Sequence, residues 1–432
     1  MHLSRVTLVA LSFVAASQSL AQTNIFKSTG QSTPSTRKSP ATKPKPVVPA
    51  HPLADPITQV NDRAFQLAKT MPVGEMNPVA APFGFWQASI VGKAVDDRAA
   101  VPPKNLQPMA DFVMNRAGEA QSSTGQLRHV MAVWPTGGQG KVGPGVAKRM
   151  TDAFKVTTRG LDLTNKAEAA REVDDWLVQA TNGNVARSVT AVTLGGSPSV
   201  VVTDAVRFES EWQTPFDSAE TKPAAFTATN GATVELPTMA ITFNLPYVKT
   251  ADVEMVLLPL AEPSISDEKT ARYVFAVLLP PEGKDVASVA GALNSQKWTA
   301  WFDEAIITDA EMKAWEDTAP ESTLESDNEA WMATYPLKAV AVSLPRFSAR
   351  SPQAGVADWQ SQAAGSAALF VQGIDLKISE SGVEDVNAVA PGHTGGVVGE
   401  PVPFTANRPF LFAIVEKATG AIVLIGQFNG VK

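Results

Sequence analysis

Near the C-terminus, the residues from Gly382 to Pro403 follow neither the two-residue period of a strand nor the 3.6-residue period of a helix. Both flanks do follow a strand period. Before this stretch, Ile374, Leu376 and Ile378 alternate with Asp375, Lys377 and Ser379. After it come the apolar runs 409–415 and 421–425, joined by Glu416 to Gly420 in the manner of a hairpin. The stretch itself holds Gly382, Gly392, Gly395, Gly396 and Gly399 with Pro391, Pro401 and Pro403. A loop of about twenty residues with no structure of its own is uncommon in a compact chain: it is functional, it is a linker, or its flanks have been misassigned. Strong strands on both sides remove the last reading. The fold must therefore carry a long exposed loop between strands of its own core.

The N-terminus reads as a secretory signal, residues 1–21. His2 and Arg5 precede the apolar run 6–16, and Ser19-Leu20-Ala21 offers a small-residue cleavage site. That run is too short to span a bilayer, so the expectation is an exported protein without a membrane span. The chain has no Cys, so neither a disulfide framework nor a lipid anchor on Cys is available. An exported chain held by its core alone fits a bacterial periplasmic or secreted protein. Residues 22–54 are rich in Pro, Ser, Thr and Lys, with no acid before Asp55 at their end. Such a segment buries too little apolar surface to order itself and reads as a tether. The formal net charge of -7 argues against nucleic acid as a partner.

The rest, residues 55–432, exceeds one ordinary core in length, yet no internal linker supports a cut. The acidic segment between Asp303 and Glu329, around Trp315 and Trp331, reads as a solvated helix and loop. Helical patterns come first: Asp62 to Lys69, Gly84 to Ala94, and Lys166 to Thr181, with Ala169, Val173, Trp176, Leu177 and Ala180 on one face and Asn182-Gly183 as a stop. Strands dominate afterwards, at 199–202 into 205–208, 255–258, 273–279 and 339–344. Helices feeding into runs of strands make a mixed α+β protein.

The side chains argue against a hydrolase. Past the signal there are three His: His51 in the tether, His129 in a strand-like run, and His393 in the glycine-rich stretch. A Ser-His-Asp site needs a base held by packed structure, and His129 reads as a structural histidine. No GxSxG, phosphate loop or metal-ligand spacing occurs, so no cofactor is expected.

Five segments, in order, resemble one family, the serpins: 175–183 ending in Thr-Asn-Gly, 203–217 with Trp212 ahead of Pro215-Phe216, 278–283, 342–347, and 407–412, followed by the strand ending at Phe428. The resemblance implies three β-sheets with about nine helices and an exposed reactive-centre loop. The stretch from Gly382 would be that loop. In the family a serine protease attacks the loop as substrate, and the cut loop then inserts as a new strand of the main sheet.

The resemblance also assigns residues. Glu380, Gly382, Val383, Glu384 and Asp385 would form the hinge. Counting forward from Gly382 puts the scissile bond at Gly396-Val397, and counting back from Asn407 puts it at Val398-Gly399. Asp204, Trp212 and Gln372 would sit where the main sheet opens, with Asp204 in place of the family's Asn and Gln372 in place of its His, a pair able to keep one hydrogen bond across the sheet. Two departures stand against insertion. Asp385 would turn inward with Val383, and a buried unpaired carboxylate costs several kcal/mol; Pro391 lacks the amide a central strand must donate. The expectations are a monomeric inhibitor of elastase-like or subtilisin-like serine proteases, a non-inhibitory serpin-fold binding or envelope-associated protein, or a merely cleavable substrate.

Overall fold

The computed structural model of the protein describes residues 51–430, except 97–99, 114–126, 137–143, 262–271, 352–367, 384–396 and scattered positions between 73 and 334. Eight α-helices lie among the described residues. None of them is long and apolar enough to cross a membrane.

The core is built on a six-stranded sheet in the order β1 (Val79–Ala80), β18 (Ala421–Phe428), β17 (Phe410–Glu416), β10 (Tyr273–Leu279), β9 (Glu254–Leu260) and β8 (Tyr247–Lys249). Every residue of β10, β17 and β18 is buried. Their sequences are near-continuous apolar runs because both faces are covered. Phe275 stacks on Phe412 at 5.6 Å between ring centres, and Trp212 meets Phe275 edge-on at 5.5 Å. A second sheet runs β16 (Val402–Thr405), β11 (Lys338–Pro345), β7 (Thr233–Leu245) and β6 (Lys222–Thr227).

The main sheet is divided into a lower and an upper half. The lower half pairs β13 (Ala368–Gly373), β4 (Val200–Phe208), β2 (Leu127–Pro135) and β3 (Thr157–Thr158). The upper half pairs β12 (Phe347–Arg350), β14 (Asp375–Ile378), β15 (Gly382–Val383) and β5 (Ser210–Glu211). One course of chain runs from β4 into β5 and another from β13 into β14, so the division marks where β15 parts two strands that are neighbours below. Among the described residues the pairing falls into four hydrogen-bonded sets, two of them halves of the main sheet, in keeping with the expected three-sheet fold.

Alternation along the strands gives the lower half two faces. Trp134, Val201, Ala205 and Val371 pack under the helix Lys166–Ala180, whose Trp176 meets Trp134 edge-on at 6.0 Å. Val200, Val202, Val206 and Phe370 face the main core and the helix Pro82–Asp96. The helix Lys166–Ala180 starts where the Asn165 side chain accepts the Glu168 N–H at 3.3 Å, and ends before Asn182 at φ 55 and Gly183 at φ 90.

The first described helix begins at Ala54, eight residues ahead of its capping-type signal at Asp62. His51, read from sequence as part of the tether, accepts the Leu53 N–H at 3.1 Å and lies 5.5 Å from the Phe112 ring. The apolar face of that helix, with Ile57, Val60, Ala64 and Phe65, extends order upstream of the sequence signal.

Candidate functional site

The N-terminal root of the loop is a tight turn. After β14 the chain reverses through Ser379 to Gly382, closed by the Ser379 N–H to the Gly382 carbonyl at 2.9 Å and the Gly382 N–H to the Ser379 carbonyl at 3.3 Å. It returns as β15, wedged antiparallel between β14 and β5: Val383 pairs with Ile378 on one side and with Ser210 on the other. The first two residues of the stretch are already a strand of the main sheet. Val383 is fully buried in the core. A Cβ at Gly382 would lie 2.1 Å from the Ser210 carbonyl oxygen and 2.8 Å from the Glu211 Cα, so only glycine fits there.

Trp212 and its neighbours hold the turn. The Trp212 indole N–H donates to the Ser379 carbonyl at 2.7 Å, its backbone N–H to the Ser381 carbonyl at 3.0 Å, and the Phe216 N–H to the Glu380 carbonyl at 3.0 Å. The carboxylate of Glu380 accepts from the Thr221 hydroxyl at 2.7 Å and from Arg346 at 3.3 Å. Partial burial pushes the Glu380 carboxyl up, but the Thr221 hydroxyl, a backbone N–H and the Arg346 guanidinium together leave it below its ordinary value.

Below the turn, β13 and β4 run parallel, with Gln372 opposite Asp204. Asp204 is fully buried in the otherwise apolar row Val200, Val202, Val206, Phe208. Its Oδ2 accepts from the Gln372 amide at 2.7 Å. Gln372 also accepts the Ala81 N–H at 2.8 Å and donates to the Ala81 carbonyl at 3.1 Å, which ties the strand pair to the chain entering the helix Pro82–Asp96. On the other side His129 Nε2 lies 2.7 Å from Asp204 Oδ1; the ring does not aim its N–H along that line, so this is a close polar contact rather than an aligned hydrogen bond. A Cβ on Gly84 would sit 1.7 Å from Asp204 Oδ2. The carboxylate thus occupies the space of a missing side chain in the first turn of that helix, where the helix dipole favours negative charge.

The structure brings Asp204 and Gln372 together, and separately gathers Trp212, Glu380, Gly382 and Val383. Glu384, Asp385, Pro391, His393 and Gly396 lie outside the described residues. Val397 and Val398 are half-buried, and Gly399 is exposed with φ +91. Sequence reasoning did not find Thr221, Arg346 or Gly84, nor did it find the approach of His129 to Asp204. His129 faces Val206 across the β2–β4 ladder and so lies diagonal to Asp204, a neighbourhood that only strand pairing creates. No group of three His, Cys, Asp or Glu among the described residues could hold a metal ion.

The sequence model of the family described as Serpin (serine protease inhibitor) matches residues 104–430. An uncharacterized serpin-like protein of Thermococcus kodakarensis is 28% identical over 321 residues, covering 71% of this chain and 67% of the relative. Serpin B9 of Homo sapiens is 24% identical over 283 residues, covering 64% and 70%. The chain spans about two thirds of the length of such relatives. Among solved structures, the native thermophilic serpin tengpin superposes with a TM-score of 0.62 at 16% identity, covering 87% of this chain and 94% of tengpin. Thyroxine-binding globulin in complex with thyroxine gives 0.61 at 15% identity, covering 87% and 100%.

Proposed function

This chain belongs to the serpin family, and from that premise we propose that it is an exported inhibitor of serine proteases that acts as a suicide substrate. One observation carries the reading: Gly382 and Val383 already stand as a strand between β14 and β5, while β13 and β4 below them are still paired with each other. Further entry of the loop would unzip the parallel β13–β4 ladder and replace it with two antiparallel ladders. Antiparallel pairing is slightly stronger per residue, and there is twice as much of it. Cutting the loop frees the segment to make that exchange, and an acylated protease would be carried along with it.

The small, aliphatic residues from Gly396 to Gly399 support elastase-like or subtilisin-like targets. The apolar run 6–16 and Ser19-Leu20-Ala21 support export, to a bacterial periplasm or beyond. The segment ahead of His51 would then be a tether in front of one inhibitory domain acting as a monomer, shorter than the expected 22–54 because His51 and the helix from Ala54 pack on the domain.

A second reading is a non-inhibitory binding protein, and the burial of Val383 favours it. With Val383 inward, the two-residue period turns Asp385 inward as well. The globulin that binds thyroxine indicates that a related fold serves ligand capture. Mixing the protein with elastase, subtilisin and trypsin and running denaturing gels separates the two. A covalent complex that survives SDS is expected from elastase or subtilisin; clean cleavage with no such complex excludes the inhibitory reading.

A further inference from the structure

The outer face of the lower half-sheet carries two arginines side by side. Alternation along β2 buries Leu127, His129 and Met131 and turns Arg128 and Val130 to the opposite face; along β4 it turns Ala205 and Arg207 to that same face. The antiparallel register then sets Arg128 directly opposite Arg207. Like charges in that relation destabilise a sheet.

Their surroundings offset only part of the two charges. The Arg207 guanidinium pairs through Nη2 with Glu209, just past the end of β4. Arg128 is exposed, and its Nη1 donates to Asn182 Oδ1 at 3.2 Å. Asn182, at φ 55, follows the end of the helix Lys166–Ala180. The partial negative charge at that helix end favours a cation but falls short of a full charge, and a carboxamide is neutral. Two guanidinium groups therefore share one carboxylate. Donors are left over as well. Among the described residues Arg207 Nε, a buried atom, has no acceptor, although buried donors are paired as a rule. The Arg207 side chain as a whole is 24% exposed, so a ligand reaches its fork from the outer edge.

Cross-strand neighbours on one face lie about 5 Å apart at Cβ, which lets both forks close on a single group. That group must be an anion, to cancel the surplus charge. A tetrahedral oxyanion has enough oxygens to offer each guanidinium its own pair, the bidentate geometry that suits arginine.

We propose that Arg128 and Arg207, with Asn182 orienting the first, form a binding site for a tetrahedral oxyanion, the phosphate or sulfate group of a ligand. Glu209 would share Arg207 with that ligand and hold the affinity to a modest level. The bound group would clasp β2, β4 and the end of the helix Lys166–Ala180 together. The site lies on the face of the sheet opposite to Asp204 and uses no residue of the loop or its roots.

Calorimetric titration of the full chain with inorganic phosphate and with inorganic sulfate tests the site, at low ionic strength where screening is weak. Saturable one-to-one binding is expected, weakened about tenfold in Arg128→Gln and in Arg207→Gln, the scale of one lost charge-assisted contact. Arg171→Gln removes an exposed cation from the middle of the same helix and should leave the affinity unchanged. No saturable binding of either ion, or equal binding by wild type and both cluster variants, overturns the proposal. An equal loss in Arg171→Gln also overturns it, by assigning the effect to overall charge. Should Arg207→Gln fold poorly, Arg207→Lys keeps the charge without the fork and should still weaken binding severalfold. Pelleting with phosphatidylglycerol vesicles identifies the source: pelleting that needs both arginines assigns the group to a lipid headgroup, and phosphate binding without pelleting assigns it to a free ion or a small ester. All of these readouts use the uncut chain, so failure of the inhibitory reading leaves them standing.

Discussion

Gly382 sits where a single methyl group would strike the Ser210 carbonyl, and the turn around it is fastened by Trp212, Phe216 and Glu380. Of these, Glu380 responds to pH. Its folded carboxyl lies below its ordinary value, with burial opposing and Thr221, a backbone N–H and Arg346 prevailing. A carboxyl depressed on folding contributes stability that is present above its unfolded pKa and is lost as pH falls through the folded one. Glu380→Gln should therefore cost under about 1 kcal/mol at pH 7, the scale of a partly exposed ion pair. The difference from wild type should vanish as the pH drops below the carboxylate range. Urea midpoints at both pH values check this, and a gap that persists in acid would assign the effect to packing.

At the scale of elements, β15 is two residues long, and its continuation decides whether insertion proceeds. Val383 faces the core, so Asp385 follows it inward if the strand grows. Burying that carboxylate unpaired costs several kcal/mol. Asp385→Ala should speed insertion by at least about tenfold, the change that follows from removing 1.4 kcal/mol of barrier. The rate is followed by tryptophan fluorescence after loop cleavage, and an unchanged rate would sink the buried-carboxylate argument. Growth of β15 must also part β13 from β4 and break the Gln372 bond to Asp204, which is anchored to Ala81. That anchor resists early opening of the sheet.

At the scale of the whole molecule, completing the sheet should raise stability. If the cut loop inserts fully, a gain of about 5 kcal/mol would lift the melting temperature by roughly 6 °C in a chain of this size. Thermal melting before and after cleavage measures it. No rise would mean that the loop is bait without the spring.

Much of this was legible in the chain itself. The apolar runs that became β10, β17 and β18 announced their strands because both faces are buried, and Asn182-Gly183 marked its helix end because positive φ suits those residues. The order of the five family segments pointed to the family, whereas the stretch read as a loop without structure has a strand at each end, Gly382–Val383 and Val402–Pro403, because pairing with β14, β5 and β11 overrides the missing period, and residues 384–396 lie outside the described residues. Proximity across strands was not legible. That His129 and Gln372 meet one carboxylate, that Gly84 leaves room for it, and that Asn244 holds Val398 from 154 positions away depend on register and on which strands are neighbours. Local sequence encodes backbone preference and burial pattern, whereas long-range pairing is selected by the packing of the whole core. The tertiary structure alone decided where the loop enters the sheet and where its far end is held.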